Sequence, residues 1–386
     1  MRDRRVPRSP TDGPCEQLGM RITRFSAYAL GLRFREGTIR MSGGRSVSTH
    51  DSILVRIQTD AGLTGWGEVC PFGGAYLPAY PAGARTGLSV LAPALIGVDP
   101  RELDAVNRLM DGTLKGHGYA KTAIDIACWD LLGQSAGLPL CVLLGGRFGG
   151  AADAYHEVSL DTPREMAARI AAYRAQGYRR FQLKVGGDAD EDVARIRATS
   201  AKAGRGAVLI ADANGGWRMQ DAARVVRAVR ALDVYIEQPC STYDECLAIR
   251  RRTDLPFILD ESIDSLAALL RAHRDGAMDA INIKLSKLGG LTRARQIRDL
   301  CVEFGIPVNI DETGGGDVTA AVLAHLAHST PERNRLAVAW SFLQVRPRTA
   351  SGAPRLKDGG ISAPTGPDLG IRVREDVLGD PILDFA

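Results

Sequence analysis

Long apolar runs are missing from this 386-residue sequence, and none could carry a helix across a bilayer. Charge of one sign is missing too. The 49 basic and 45 acidic side chains leave a formal +4 without a basic block, so the electrostatic footprint of a nucleic-acid or anionic-membrane binder is absent. The seven cysteines (Cys15, Cys70, Cys128, Cys141, Cys240, Cys246, Cys301) are odd in number, scattered and without a C-x-x-C pair. That excludes a disulfide framework and a structural zinc site and suits a reducing cytoplasm. Lysine is scarce: only Lys115, Lys121, Lys184, Lys202, Lys284, Lys287 and Lys357 stand among the 49 basic residues. Arginine is the default cation here, so a lysine in a special place needs a reason.

What is present, 45% hydrophobic and 24% charged residues, describes a globular protein whose partner is a small molecule. Residues 1–19 read as a disordered tail, since Arg4-Arg5 precedes no apolar run and makes no export signal. Met20 opens a strand-like segment and is a candidate internal start. From 20 to about 69 apolar and polar residues alternate, as in Ile53-Leu-Val-Arg-Ile-Gln58, which predicts an antiparallel meander. Residues 100–146 take helical period, with Ile124, Ala127, Cys128 and Leu131 on one face and Gly137-Leu-Pro139 as the stop. Residues 20–150 therefore read as an α+β domain.

From 151 to 345 short buried strands alternate with amphipathic helices, and Thr162-Pro-Arg-Glu165 has the form of a capping box. The strand candidates are 155–160, 178–185, 207–211, 234–236, 257–259, 280–283, 306–310 and 336–339. Eight in series predict a parallel β/α barrel. Residues 346–386 lack this rhythm and are expected to pack on the first domain. The expected fold class is α/β, a modified TIM barrel with an N-terminal α+β capping domain completed by the C-terminal segment.

One ionisable residue closes each of six strands: Lys184, Asp212, Glu237, Asp260, Lys284 and Asp311, at steps of 28, 25, 23, 24 and 27. In a parallel barrel all C-terminal strand ends open on one face, so these six would ring one mouth. Asp212, Glu237 and Asp260 on adjacent strands would repel unless a cation neutralises them, and an all-oxygen set selects Mg²⁺ or Mn²⁺. Asn214 could support that set, and Glu261 is an alternative third ligand. Lys184 and Lys284 flank the carboxylates and could act from two sides as proton donor and acceptor, which arginine cannot do. Each residue also has a structural reading. Asp260 could cap a helix, Lys184 could be a solvated charge, and His325 and His328 read as surface or packing residues. Gly314-Gly-Gly316 reads as a flexible turn before a helix capped by Asp317, and Trp340 and Phe342 could be core.

Six motifs carry a resemblance: Ala120-Lys-Thr-Ala-Ile-Asp-Ile-Ala-Cys-Trp-Asp-Leu-Leu-Gly133, Phe181-Gln-Leu-Lys-Val-Gly186, Ile210-Ala-Asp-Ala-Asn214, Ile236-Glu-Gln-Pro239, Leu259-Asp-Glu-Ser262 and Ile281 to Gly290. Together they resemble the mandelate racemase/muconate lactonizing enzyme family of the enolase superfamily. The resemblance implies Mg²⁺ on Asp212, Glu237 and Asp260, Lys184 and Lys284 as the acid/base pair, and a homo-oligomer. Gln182 stands where the muconate-lactonizing subgroup usually has a first lysine. Ser42 to Val47, Gly65 to Pro71 and Phe181 to Gly187 look most like members acting on proline derivatives, the cis-3-hydroxy-L-proline dehydratases and hydroxyproline-betaine epimerases. Relatives often carry a bulky aromatic at Gly314, and the strand-eight Asp-x-Asp of dipeptide epimerases is replaced by Ala339-Trp-Ser-Phe342. Phe72, Tyr76, Asp311 and Trp340 are the candidate substrate contacts, Trp340 through cation–π attraction to a substituted ammonium. The expected activity is Mg-dependent removal of the α-proton of a proline-type carboxylate, followed by dehydration or 2-epimerisation. Alternatives are a racemase or cycloisomerase of another carboxylate, a metal-free lyase forming a lysine Schiff base, and a non-catalytic small-molecule binding protein.

Overall fold

Strand Ile22–Phe34 pairs antiparallel with Thr49–Thr59, which pairs with Thr64–Val69 across the turn at Asp60-Ala-Gly62. The structure, a computed structural model, describes residues 19–35, 37–339 and 344–386. The alternation that predicted this meander has a physical cause: Ile53, Val55 and Ile57 are fully buried against the helices Pro81–Leu95, Leu103–Thr113 and Gly118–Ala136. Helix Gly118–Ala136 is buried on nearly every side and ends at Gly137, which takes the left-handed conformation at φ 65°. The sheet approaches this helix closely because of two glycines. A Cβ on Gly67 would overlap the Ala123 carbonyl oxygen, and one on Gly65 would overlap that of Ala127. We expect Gly67→Ala to destabilise the chain by about 2–4 kcal/mol, since rigid backbone must move to admit the methyl. Urea unfolding checks this, and an unchanged midpoint would contradict it.

The barrel strands are, in order, Ala152–Val158, Arg180–Lys184, Val208–Asp212, Tyr235–Glu237, Phe257–Leu259, Ala280–Lys284, Val308–Asp311 and Arg335–Ala339. They pair in parallel in sequence order, and Val338↔Ala154 and Ala339↔Tyr155 close the ring. Each predicted strand is present; 257–259 coincides with its prediction and the others differ at one or both ends by one to three residues. The Thr162 hydroxyl accepts from the Glu165 amide at 3.3 Å and opens helix Pro163–Ala175. The final stretch ties both layers together. Val345–Arg346 and Leu383–Phe385 pair with strand Ile22–Phe34, while Gly360–Ile361 pairs with the first barrel strand.

Three expectations change. His325 and His328 are buried, so the surface reading fails and the packing one stands. His325 Nδ1 accepts from the Cys141 amide at 3.2 Å, leaving Nε2 to donate to the Leu369 carbonyl at 3.1 Å. Gly314–Gly316 is packed and buried rather than a loose turn. Asp317 does not cap its own helix, Asp317–His328, which begins after Gly316. Its carboxylate instead accepts the amides of Thr349 and Ala350 at 2.7 and 2.8 Å and fixes the returning chain. Residues 1–18 of the expected tail lie outside the described residues. The six described cysteines are free and buried, and among the described residues no helix is long and apolar enough to cross a membrane.

Candidate active site

Lys184, Asp212, Glu237, Lys284 and Asp311 are each the last residue of a barrel strand, and Asp260 follows Leu259 directly. Register puts Asp212 beside Lys184 and Glu237, and Asp311 beside Lys284. Lys184 and Lys284 stand on strands two and six of eight, diametrically opposed in the ring, with the carboxylates of strands three to five between them on one side.

Each lysine meets acids. Lys184 Nζ donates to Asp212 Oδ2 at 2.7 Å and Gln182 Oε1 at 3.0 Å, and stands 3.4 Å from Glu157 Oε1. Lys284 Nζ contacts Asp260 Oδ2, donates to the Tyr76 hydroxyl at 2.7 Å and stands 3.4 Å from Asp311 Oδ2. Lys287 holds the other Asp260 oxygen at 2.5 Å. Glu237 accepts from Gln182 Nε2 at 2.8 Å and Asn282 Nδ2 at 2.9 Å.

The electrostatics follow from burial against charge. Burial works to lower the pKa of both lysine ammoniums, but Asp212 and Glu157 around Lys184, and Asp260 beside Lys284, outweigh it and raise them. Burial would raise Asp260, yet Lys284 and Lys287 hold it below the usual carboxylate range. Burial, then the charges of Asp212 and Asp260, push Glu237 well above its usual value. Glu261 is pushed up to about 7 by burial and the same two neighbours.

Among the described residues no group of three His, Cys, Asp or Glu side chains is arranged to hold an ion, because lysines and amides take the carboxylate oxygens. The donor chemistry nonetheless fits a hard divalent cation. Three carboxylates end adjacent strands, and two further oxygens beside them, Asn214 Oδ1 and Glu261 Oε2, are buried without a hydrogen-bond partner.

A small cavity lies over this floor. Lys184, Lys284, Gln182, Glu157, Asn214 and Asp311 line its barrel side, and Phe72 and Tyr76 reach in from the capping domain. The Phe72 and Tyr76 rings meet edge to face at 5.6 Å between centroids. Trp340 and Phe342 lie outside the described residues. A far larger hollow, about 930 Å³, sits away from this chemistry between residues 102–108 and 292–299.

Residues 33–145 match the mandelate racemase/muconate lactonizing enzyme N-terminal domain, and residues 165–377 match the enolase C-terminal domain-like family. The chain belongs to the mandelate racemase/muconate lactonizing enzyme family. It is 49% identical to a cis-3-hydroxy-L-proline dehydratase of Roseibium aggregatum, over 95% of this chain and all of that protein. It is 33% identical to an N-succinyl-L-Arg/Lys racemase of Bacillus cereus, over 80% of this chain and 85% of that one. The solved structure of an enolase-superfamily member from Roseovarius nubinhibens complexed with magnesium superposes with a TM-score of 0.90 at 42% identity, covering 95% of this chain and 99% of the other. Enzymes of this superfamily combine a basic side chain with magnesium.

Sequence reasoning had not singled out Glu157, Asn282 or Lys287 for the site. Asn282 carried a usable signal: it stands two residues before a strand-end lysine, as Gln182 does before Lys184, and so shares that lysine's face.

Proposed function

We propose that this protein removes the α-proton of cis-3-hydroxy-L-proline or a close ring analogue and expels the 3-hydroxyl as water. The observation that carries the reading is the placement of two lysines on opposite sides of one ring. In cis-3-hydroxy-L-proline the hydroxyl shares a ring face with the carboxylate, so the α-hydrogen points to the other face. One lysine takes that hydrogen as a proton while the opposite lysine gives one to the departing hydroxyl. The C2–H and C3–O bonds break, a C2=C3 double bond forms, and water leaves. The product is a cyclic enamine, which tautomerises to an imine. The near half-identity to a dehydratase over almost the whole chain supports this substrate class.

Asp212, Glu237 and Asp260 are the residues that would hold Mg²⁺, with Mn²⁺ as a substitute, and Asn214 and Glu261 stand ready beside them. When bound, the cation supplies positive charge where the carboxylate gains negative charge during proton loss. Asp212 and Asp260 are among the charges that hold Lys184 and Lys284 protonated, so a cation held by these carboxylates would offset part of that effect, while Glu157 and Asp311 stay at 3.4 Å from the two amines. Asp311 and Glu157 offer negative charge to the ring ammonium, and Phe72 and Tyr76 cover the ring. The same two-sided arrangement supports 2-epimerisation when no 3-hydroxyl is present to leave, a reaction kept in view by the racemase relative. The assembly is proposed to be a homo-oligomer acting in the cytoplasm.

The test is incubation with cis-3-hydroxy-L-proline and Mg²⁺, followed by mass spectrometry for water loss and an imine-trapping reagent. We expect turnover that a chelator abolishes and Mg²⁺ restores. Chelator-resistant activity trapped on lysine by borohydride would favour the Schiff-base chemistry instead.

A further inference from the structure

The capping-domain side of the cavity holds a polar side chain that the proposed proton transfers do not use. His50 lines the cavity with Lys184 and Lys284, yet it is only 4% exposed. Its ring is wedged edge-on against Phe34 at 4.6 Å and Phe72 at 6.3 Å between centroids. Burial pulls its pKa down to about 4, so at neutral pH the imidazole is uncharged and presents one N–H and one lone pair. Among the described residues neither ring nitrogen has a hydrogen-bond partner. Neither nitrogen is among the fully buried unpartnered atoms, so the polar edge of the ring is open to what the cavity receives.

The backbone opposite makes room for this ring. A Cβ on Gly314 would come within 2.6 Å of His50 Nδ1 and 2.9 Å of Cys70 Sγ. The other capping-side walls, Phe34, Ile39, Met41, Val47 and Phe72, are apolar, and the Tyr76 hydroxyl is engaged by Lys284 and Asp260. A substrate with its carboxylate toward strands three to five, its α-carbon between the lysines and its ammonium toward Glu157 and Asp311 has one polar group left for the capping side. That group is the ring hydroxyl. Building on the dehydration reading, we infer that His50, in the space kept open by Gly314, hydrogen-bonds the ring hydroxyl and so separates hydroxylated substrate from bare proline. A neutral imidazole suits this task because it can donate to the hydroxyl oxygen without adding a charge to an already charged site.

The test measures affinity apart from turnover. In a Lys184→Arg background with Mg²⁺ present, the shift of the unfolding midpoint with ligand concentration gives apparent affinities for cis-3-hydroxy-L-proline and L-proline. We expect the hydroxylated ligand to bind about tenfold more tightly, as one hydrogen bond allows. His50→Phe should remove that preference while leaving L-proline within about threefold of its starting affinity. His50→Gln, which keeps a donor and an acceptor, should restore part of it, and Gly314→Ala, which displaces the ring, should weaken it. A preference that survives His50→Phe, or affinities for both ligands that fall together, would overturn the assignment. Dehydration is read separately on the otherwise unaltered enzyme, so a chain that prefers the hydroxylated ring but never expels water would bring down the dehydration reading and leave His50 standing.

Discussion

Replacing either Lys184 or Lys284 by alanine is expected to lower dehydration about 1,000-fold or more, with protein folded and still able to bind ligand. A positioned acid or base contributes about 10²–10⁴-fold, and the anti geometry of the substrate requires both at once. The two lysines act as a unit, so the double variant should be little worse than either single one. Arginine at either position separates charge from proton transfer: it keeps the ion pair with Asp212 or Asp260 but cannot lose a proton, so it should be as inactive as alanine. Solvent-deuterium exchange at Cα distinguishes the two roles. Loss of the base abolishes exchange, whereas loss of the opposite acid leaves some exchange without water loss. Single variants retaining more than a tenth of the wild-type rate in both measurements would defeat the pairing. Folding is monitored alongside, because removing one partner of a buried pair leaves the other unmatched and costs stability of its own.

The spacing argument worked here because six of the eight barrel strands, two to seven, are short buried runs with an ionisable side chain at or just past the end. Lys184, Asp212, Glu237, Lys284 and Asp311 stand at the strand termini and Asp260 one residue past its strand, so a sequence read linearly carries the ring almost directly. Glu157 carried no such mark, since it lies inside the first strand, and its 3.4 Å approach to Lys184 follows from the register of strands one and two, which sets Glu157 beside Gln182. Lys287 sits in the short turn of helix Leu285–Leu288 that follows strand six, and only that turn brings it back onto Asp260. Helix Pro81–Leu95 drew no assignment although Tyr80-Pro81 is a sound helix start. His50 reads in sequence as one polar member of an alternating strand. Its place in the cavity follows from how one domain docks on the other, which no local pattern encodes.

That docking rests on two carboxylates, and removing one should produce the largest loss of stability expected here. Barrel helices Leu291–Glu303 and Asp317–His328 begin after Gly290 and Gly316, neither of which has a side chain to cap the exposed amides. The capping domain supplies the missing acceptors. Asp125 accepts from the Thr292 amide at 2.9 Å and its hydroxyl at 2.6 Å, and Glu68 accepts from the Gly316 and Thr319 amides at 2.8 and 2.9 Å. Glycine is required at 290 because a Cβ there would lie 2.5 Å from Asp125 Oδ2. Glu68→Ala strands several buried donors at a helix N-terminus, and we expect a cost of about 3–5 kcal/mol in urea unfolding. A loss under about 1 kcal/mol would contradict this role. The pH dependence has a definite sign. Burial raises the folded pKa of Glu68 above its ordinary value, so the folded state keeps this proton longer than the unfolded chain does. Its contribution is therefore full below the ordinary carboxyl pKa and declines as pH rises through the folded value, and the gap between wild type and Glu68→Ala should narrow in that direction. Activity should fall as well. Glu68 lies two residues before Cys70, whose carbonyl accepts from the Thr313 hydroxyl at 2.8 Å, and Phe72 and Tyr76 follow directly along the chain. Loosening this joint frees the loop that covers the ligand, so KM should rise more than kcat falls, whereas a change at either lysine acts on kcat.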